Sequence, residues 1–385
     1  MKRGPTGYQV PVAMVGERCT AFVPKPLPPE PALLWDDELQ NAFQSASVAL
    51  GRLSGIASLL PDPRLFLYSY VRKEAVLSSQ IEGTQSSLDE LLLFENAAAP
   101  GVPMDDIQEV ANYVAAMEHG LKRLREDFPL SLRLIREIHG VLLSKGRGSQ
   151  KQPGEFRTSQ NWIGGTRPGN ARFVPPPPDH VIDCMGALEK FLHDPRVPAL
   201  VRAGLAHVQF ETIHPFLDGN GRIGRLLITF LLCHDGVIAS PMLYLSLHLK
   251  QQRATYYDLL QRVRTHGEWE EWMAFFLHGI AVSAGQAVET AGRLLQLFQQ
   301  DREKITGLGR AAGSALQLHD LLQQQPALSV ARARAALKLS KPTVHAAFAQ
   351  LEKLGLLREI TGGARNRVFA YKDYLTILSE GTEPL

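Results

Sequence analysis

The residues with the clearest chemical potential form one run: His214-Pro215-Phe216-Leu217-Asp218-Gly219-Asn220-Gly221-Arg222-Ile223-Gly224-Arg225. Proline pushes the residue before it out of the helical region, so a helix arriving at Pro215 ends at His214 and leaves the imidazole facing a loop. An imidazole there can take a proton near neutral pH. Gly219 and Gly221 let backbone N–H groups turn inward on one point, an anion nest. A helix starting near Gly221 adds its free N–H groups and its dipole to that point. Arg222 and Arg225 share its first turn, and each carries a planar fork suited to phosphate oxygens. Asp218 is placed to hold a divalent cation, which takes oxygen ligands and shares them with phosphates. The parts add up to a polyphosphate site with a base at its lip. Phe216 alternates away and anchors the loop in the core. Singly, each feature has a plain structural reading: a capped histidine, a turn, a solvated pair of arginines. Together they leave a loop of donors and positive charge that an anion completes.

Helices must position this run. Leu39, Phe43, Ala46, Leu50 and Leu53 make one apolar stripe, and Ile107, Val110, Val114, Met117, Leu121 and Leu124 another, after the acidic start Asp105-Asp106. Leu132, Ile135, Ile138 and Leu142 form a third. Helices resume at Asp179 and, after Pro198, run to about residue 213. Between them, residues 146–178 are rich in Gly and Pro. Asn161–Ile163 and Arg172–Val174 read there as a hairpin with a loose tip. The first 31 residues carry Pro24, Pro26, Pro28, Pro29 and Pro31 and are expected to run extended over the surface.

A long helix is expected over 280–306, with Gly307 and Gly309 as the hinge to a last module. There a helix covers about 312–324, Ser329 caps a second, and Ser340 caps a third, with Pro342 in its first turn and Gly355 past its end. Leu356–Ile360 and Arg367–Tyr371 alternate like strands around Gly362-Gly363. Three helices and a two-stranded hairpin read as a winged helix-turn-helix. The expected fold class is mainly α, a helical bundle with a small β-hairpin flap. Its domains are an N-terminal helical region at 1–105, a core at 106–300 and the module at 301–385.

Composition narrows the function. In 385 residues, 41 Lys+Arg against 39 Asp+Glu leave a net charge of +2, which excludes global attraction to nucleic acid or anionic membrane. Cys19, Cys184 and Cys233 are scattered, which argues against a disulfide framework and a cysteine zinc site and points to the cytoplasm. No segment reads as a signal peptide, and no apolar run reaches the roughly 18–20 residues of a spanning helix, so no membrane partner is expected.

The run 214–225 resembles the defining motif of Fic-domain proteins, H-x-F-x-(D/E)-G-N-G-R-x-x-R, a family of protein adenylyltransferases. Pro153-Gly154-Glu155-Phe156-Arg157, Asn161-Trp162-Ile163-Gly164 and Phe173-Val174-Pro175-Pro176 resemble the family's hairpin region. Ala206-His207 and Phe210-Glu211-Thr212-Ile213 resemble the helix before its catalytic loop. The likeness covers about residues 8–300, and some members also carry a winged-helix tail. It implies a Fic-type bundle in which His214 is the general base for a target hydroxyl attacking the α-phosphate of ATP. Asp218 would bind Mg²⁺, and Gly219, Asn220 and Gly221 would form the anion hole. Arg222 would contact phosphates and Arg225 the γ-phosphate, with Ile223 and Gly224 completing the nucleotide-contacting set. Gln252 and Tyr256 resemble the nucleotide-side segment, although core packing is an equal reading of the tyrosine. The 161–174 hairpin would align the target backbone by strand pairing. The implied partner is a protein bearing a Tyr, Thr or Ser hydroxyl, the chain itself included, and a homodimer is compatible with the family.

Ser78-Ser79-Gln80-Ile81-Glu82-Gly83 ends a helical pattern that begins near Arg64. Ser78 and Glu82 share a face. In isolation Glu82 reads as a solvated carboxylate before a C-cap. The segment, however, resembles the family's inhibitory motif (S/T)-x-x-x-E-(G/N). The implied brake is an ion pair of Glu82 with Arg225 that occupies the γ-phosphate's fork. Some members use the same glutamate to remove AMP, which makes a bifunctional enzyme an alternative. A reading from another class is a DNA-binding regulator that uses the nucleotide site as a sensor. It rests on Arg332, Arg334, Lys338, Arg365 and Arg367 around the third helix and wing. Transfer of UMP or phosphate is a third reading, less favoured by Gly219-Asn220-Gly221 with both arginines.

Overall fold

Proline placement and apolar periodicity set most element boundaries. The computed structural model describes residues 3–14, 17–59, 64–96, 104–362 and 367–384. In chain order it runs β1 (Gly7–Met14), β2 (Glu17–Pro24), α1 (Asp37–Leu59), α2 (Arg64–Ile81), α3 (Leu88–Glu95), α4 (Met104–Arg125) and α5 (Leu132–Leu142). α6 (Pro178–Leu192), α7 (Ala199–Ile213), α8 (Asn220–His234), α9 (Ser246–Gln251), α10 (Arg253–His266) and α11 (Trp269–Thr306) follow. The chain closes with α12 (Ala312–Gln324), β3 (Ala327–Ser329), α13 (Val330–Leu337), α14 (Lys341–Lys353), β4 (Leu357–Glu359), β5 (Val368–Tyr371) and α15 (Lys372–Ser379). The fold is mainly helical with two small antiparallel sheets among the described residues. None of the helices described is long and apolar enough to cross a membrane.

The chain divides into two compact units. The first comprises Met1–Gly51, Asn112–Ala239 and His248–Val282. At its centre is α7, in which every residue from Leu200 to Ile213 is buried. A helix buried all round belongs in a core, and α7 packs against α6, α8, α10 and β2. Two of its polar side chains bond inside: Gln209 Nε2 donates to the Lys25 carbonyl at 2.9 Å and Thr212 Oγ1 to the Val208 carbonyl at 2.8 Å.

Two expectations for this unit are corrected. The proline-rich N-terminus is not a surface strand alone. Gly7–Met14 and Glu17–Pro24 pair antiparallel, with Gly7 opposite Pro24 and Val10 opposite Ala21. Ala21, Phe22 and Val23 are buried. The alternation of Val10 and Val12 and of Ala21 and Val23 outweighs Pro11, which a two-stranded ribbon accepts because its outer edge is unpaired. The 161–174 hairpin shrinks to a single antiparallel bridge, Ile163 to Phe173. Its tip is tied, not loose. Asn170 Oδ1 accepts from the Thr166 and Arg167 N–H groups, each at 3.0 Å, closing a short 3₁₀ turn at Pro168–Asn170.

The second unit comprises Arg52–Ala111, Ser240–Leu247 and Ser283–Leu385. α2 is anchored by the Tyr70 hydroxyl, which donates to the Ala287 carbonyl at 2.7 Å, and by Glu74, which accepts from the Ser246 N–H at 3.1 Å. Tyr371 donates to Asp301 Oδ2 at 2.8 Å, and His319 Nε2 lies 3.1 Å from the Tyr371 hydroxyl. Burial, the largest influence, lowers the His319 pKa to about 4.

In the C-terminal segment the second and third helices begin where the capping residues predict. Ser329 accepts from the Arg332 N–H and Ser340 from the Thr343 N–H. Each such cap contributes about 1 kcal/mol. Beyond the expected hairpin, β3 joins a three-stranded sheet in the order β3-β5-β4, and α15 follows it. β3 was hidden because three residues carry too little alternation to stand out. Gly363 and Arg365, assigned to the wing, lie outside the described residues. α11 starts at Trp269, eleven residues before the expected start at 280.

Candidate active site

α7 ends at Ile213, and His214 adopts φ 50 and ψ 59, a left-handed conformation. For a residue with a Cβ this costs roughly 1–2 kcal/mol, so the surroundings must hold it. Arg157 does so. Its Nε donates to the His214 carbonyl at 2.9 Å and its Nη2 to the carbonyls of Pro176 at 2.5 Å and Ile213 at 3.4 Å. The Arg157 N–H donates to the Pro215 carbonyl at 2.9 Å. Arg157 is 2 % exposed, and burial lowers its pKa to about 10, which still leaves a cation at neutral pH. A cation at a helix C-terminus also complements the helix dipole. Asn161 Nδ2 adds bonds to the carbonyls of Phe216 at 3.0 Å and His214 at 3.4 Å. The His214 ring itself is half-buried.

The loop that follows is clasped across its width. Asn220 Oδ1 accepts from the Phe216 N–H and Asn220 Nδ2 donates to the Phe216 carbonyl, both at 2.8 Å. The Asn220 side chain therefore closes the loop and is not aimed at an anion; its contribution to an anion hole is confined to its backbone. Gly219 caps α8 at φ +76, where a Cβ is strained. Gly224 permits close helix contact: a Cβ there would lie 2.4 Å from Glu211 Oε1 on α7. Asp218 Oδ1 accepts from the Gly219 N–H at 2.6 Å and faces Arg222 Nη2 at 3.5 Å, with 37 % of the Asp218 side chain exposed. The Gly219 N–H is thus engaged, and the donors for an anion are those of the first turn of α8, which have no intrahelical acceptor. Arg222 and Arg225 are both 3 % exposed. Ile223 lies in the core at 2 % exposure.

His139 on α5, which the sequence reading did not select, supports the loop from behind. It is fully buried and stacks on Phe216 with ring centres 3.7 Å apart and planes 6° apart. Its Nδ1 accepts from the Gly154 N–H at 2.8 Å, so the proton sits on Nε2, which donates to the Asp218 carbonyl at 3.0 Å. Burial, ahead of the other influences, lowers its pKa to about 4 and keeps the ring neutral. The available signal was a histidine inside the apolar stripe of Ile135, Ile138 and Leu142. Arg157 and Asn161 were visible only within motifs of resemblance, because their carbonyl partners come from distant turns.

The nucleotide-side pair separates. Gln252 is exposed at the N-cap of α10, while Tyr256 is 1 % exposed. The Tyr256 hydroxyl lies 2.8 Å from His207 Nε2, and His207 Nδ1 donates to the Gly224 carbonyl at 3.0 Å. Since Nδ1 carries the proton, Tyr256 is the donor to Nε2. Tyr256 is thus packed inside the unit, linked through His207 on α7 to the Gly224 carbonyl on α8. Ser78, Glu82 and Gly83 belong to the second unit, where α2 ends at Ile81, Ser78 is buried, Glu82 is exposed and Gly83 has φ +101.

Comparison with known proteins agrees with the geometry. Residues 40–122 match the Fic/DOC family N-terminal description and residues 129–232 the Fic/DOC family. Residues 129–232 thus carry a Fic domain. Its Fic domain is similar to curated proteins named Protein adenylyltransferase Fic. The one from Aedes aegypti is 34% identical over 202 residues, 51% of this chain and 37% of that protein. The one from Drosophila ananassae is 32% identical over 186 residues, 47% of this chain and 34% of that protein. The matches thus span about a third of the length of these relatives. The fold is shared with a Fic family protein from Desulfovibrio desulfuricans G20, at TM-score 0.59 and 21% identity over 88% of this chain and 97% of that one. It is also shared with a Fic domain containing signaling protein from Bacteroides thetaiotaomicron, at TM-score 0.53 and 18% identity over 64% of this chain and 95% of that one.

The donor set bears on a cation. Among the described residues no group of three or more His, Cys, Asp or Glu could hold a metal ion. The loop offers one partly exposed carboxylate, Asp218, so the residues fit a hard divalent cation only when phosphate oxygens supply the remaining ligands, as is usual for Mg²⁺.

Proposed function

We propose that this Fic-domain protein transfers AMP from ATP to a hydroxyl side chain of a protein. The observation that carries the reading is His214, held left-handed at the end of α7 beside Asp218 and the arginine-bearing start of α8. In this reaction the target hydroxyl oxygen bonds to the α-phosphorus while the bond from that phosphorus to the bridging oxygen of the β-phosphate breaks. The hydroxyl proton passes to the His214 imidazole, and pyrophosphate leaves. The first N–H groups of α8, Arg222 and Arg225 offset phosphate charge, and the rigid loop supplies positioning. Asp218 would hold a divalent cation that neutralises charge between the phosphates. The names of the curated relatives support the reading, and the free, scattered cysteines among the described residues support a cytoplasmic setting. Label transfer from ATP labelled at the α-phosphate onto protein tests it. Loss of transfer in His214→Ala is expected, and transfer undiminished in that variant contradicts it.

Regulation by Glu82 belongs to the same proposal. The Ser78 to Gly83 sequence supports a role in which Glu82 competes with the γ-phosphate for Arg225, so that Glu82→Gly raises transfer. A second reading draws on the C-terminal segment, where Lys341 and His345 are exposed at the start of α14. A DNA-binding regulator would show salt-dependent DNA binding that persists in His214→Ala.

A further inference from the structure

The β1–β2 pair, residues 168–174 and α10 surround a cleft of about 440 Å³ in the first unit, outside the 214–225 loop. Arg172 and Arg264 line it, together with neutral polar groups such as Gln9, Gln261 and Thr265, and among the described residues no aspartate or glutamate does. Arg264 is 6 % exposed and lies over the Phe173 ring at 4.1 Å. It donates to Thr212 Oγ1 and to the Glu211 carbonyl, each at 3.1 Å, and reaches Gln261 Oε1 at 3.5 Å. These acceptors are all neutral. The Glu211 carboxylate acts on Arg264 only through space, and burial is the larger influence on that guanidinium. Arg172 is exposed, and among the described residues neither arginine is in an ion pair. A nearly buried cation with no carboxylate in direct ion-pair contact is costly, and an anion entering the cleft offsets part of that cost.

The cleft also abuts the flap, because Phe173 and Val174 form part of its wall. Phe173 exchanges both backbone bonds with Ile163, and the Val174 carbonyl accepts from the Phe22 N–H at 2.9 Å. Segment 172–174 is therefore bonded on both edges, which fixes the wall in place.

We propose that this cleft is a subsite for an acidic side chain of the polypeptide substrate, an Asp or Glu seated between Arg172 and Arg264. This deepens the proposed function and rests on it: the protein that is modified carries a carboxylate near its hydroxyl residue. Charge complementarity selects the occupant, and a peptide is favoured over a free anion because the cleft adjoins the segment expected to align a target backbone.

The test uses the full chain carrying His214→Ala, without nucleotide, and fluorescein-labelled hexaglutamate followed by anisotropy. Saturable binding that weakens with added salt is expected, with none for hexalysine. Arg172→Glu, and separately Thr265→Glu on the exposed wall, each weaken binding about tenfold. Arg264 is left intact because its loss strips bonds from the end of α7. Absence of saturable binding, or a change below about threefold in both variants, overturns the proposal. Full displacement by millimolar inorganic phosphate also overturns it, since the cleft would then be a free-anion site. Because the readout is binding to a chain lacking the catalytic imidazole, failed label transfer and a failed subsite remain distinguishable.

Discussion

The imidazole of His139 lies flat on the ring of Phe216, 3.7 Å away, and its two nitrogens tie the Gly154 N–H to the Asp218 carbonyl. One neutral side chain thus sets both the depth of the loop and the orientation of its carboxylate residue. In His139→Phe the stack survives, but a buried N–H and a buried carbonyl lose their partners. That variant is expected to lose about 2–4 kcal/mol in urea unfolding. Label transfer by the folded fraction is expected to fall about 100-fold, the penalty for a misplaced reacting group.

Arg157 makes a second claim about the same loop. Its bonds to the carbonyls of Ile213, His214 and Pro176 are what permit His214 to stay left-handed. Arg157→Met is expected to cost about 3 kcal/mol or more, since hydrogen bonds from a charged donor are worth about 1.5–3 each. Arg157→Lys keeps the charge but cannot span carbonyls in separate directions, so it recovers only part of the loss. Chemical denaturation of the three proteins side by side reads this directly.

Acid should destabilise both units. His207 and His319 are each held near a pKa of about 4 by burial. A folded-state value below the ordinary 6.5 means that the neutral ring is the folded form. The stability this carries is complete above about pH 6.5 and is lost as pH falls toward about 4. Near pH 5.5 each histidine is expected to cost about 1 kcal/mol relative to neutral pH. Unfolding free energies that stay flat from about pH 7 to 5 would contradict the assignment. His207→Gln should remove part of the slope.

The regulatory claim concerns Glu82. If its carboxylate competes for Arg225, Glu82→Gly raises transfer several-fold and Glu82→Asp, one methylene shorter, does so in part. Initial rates at fixed ATP measure this, and equal rates in wild type and Glu82→Gly would remove the brake.

Local signals carried much of the fold. Pro215 did end α7, and Ser329 and Ser340 did cap α13 and α14, because capping and proline geometry act within a few residues. The stripe from Leu39 to Leu53 became α1 with Leu39, Ala46, Leu50 and Leu53 buried. What stayed hidden depends on distant partners. The β1–β2 pair takes its burial from α6 and α7, far along the chain, while its prolines suggested an unpaired segment. Tyr256 turns inward because His207 offers it an acceptor on another helix. The run 214–225 was legible as a motif, but the contacts made within it were not. Asn220 spends its side chain on Phe216, and Asp218 engages the Gly219 N–H, contacts that need the folded loop to be seen.

The central claim is that the 214–225 loop grips a nucleoside triphosphate and presents an imidazole to its innermost phosphorus. It is tested most directly by incubating Glu82→Gly, alone and combined with His214→Ala, with α-phosphate-labelled ATP, Mg²⁺ and lysate. The account predicts labelled protein bands of added AMP mass for the single variant and none for the double. Equal labelling of the two, or label transferred from the γ-phosphate instead, would contradict it.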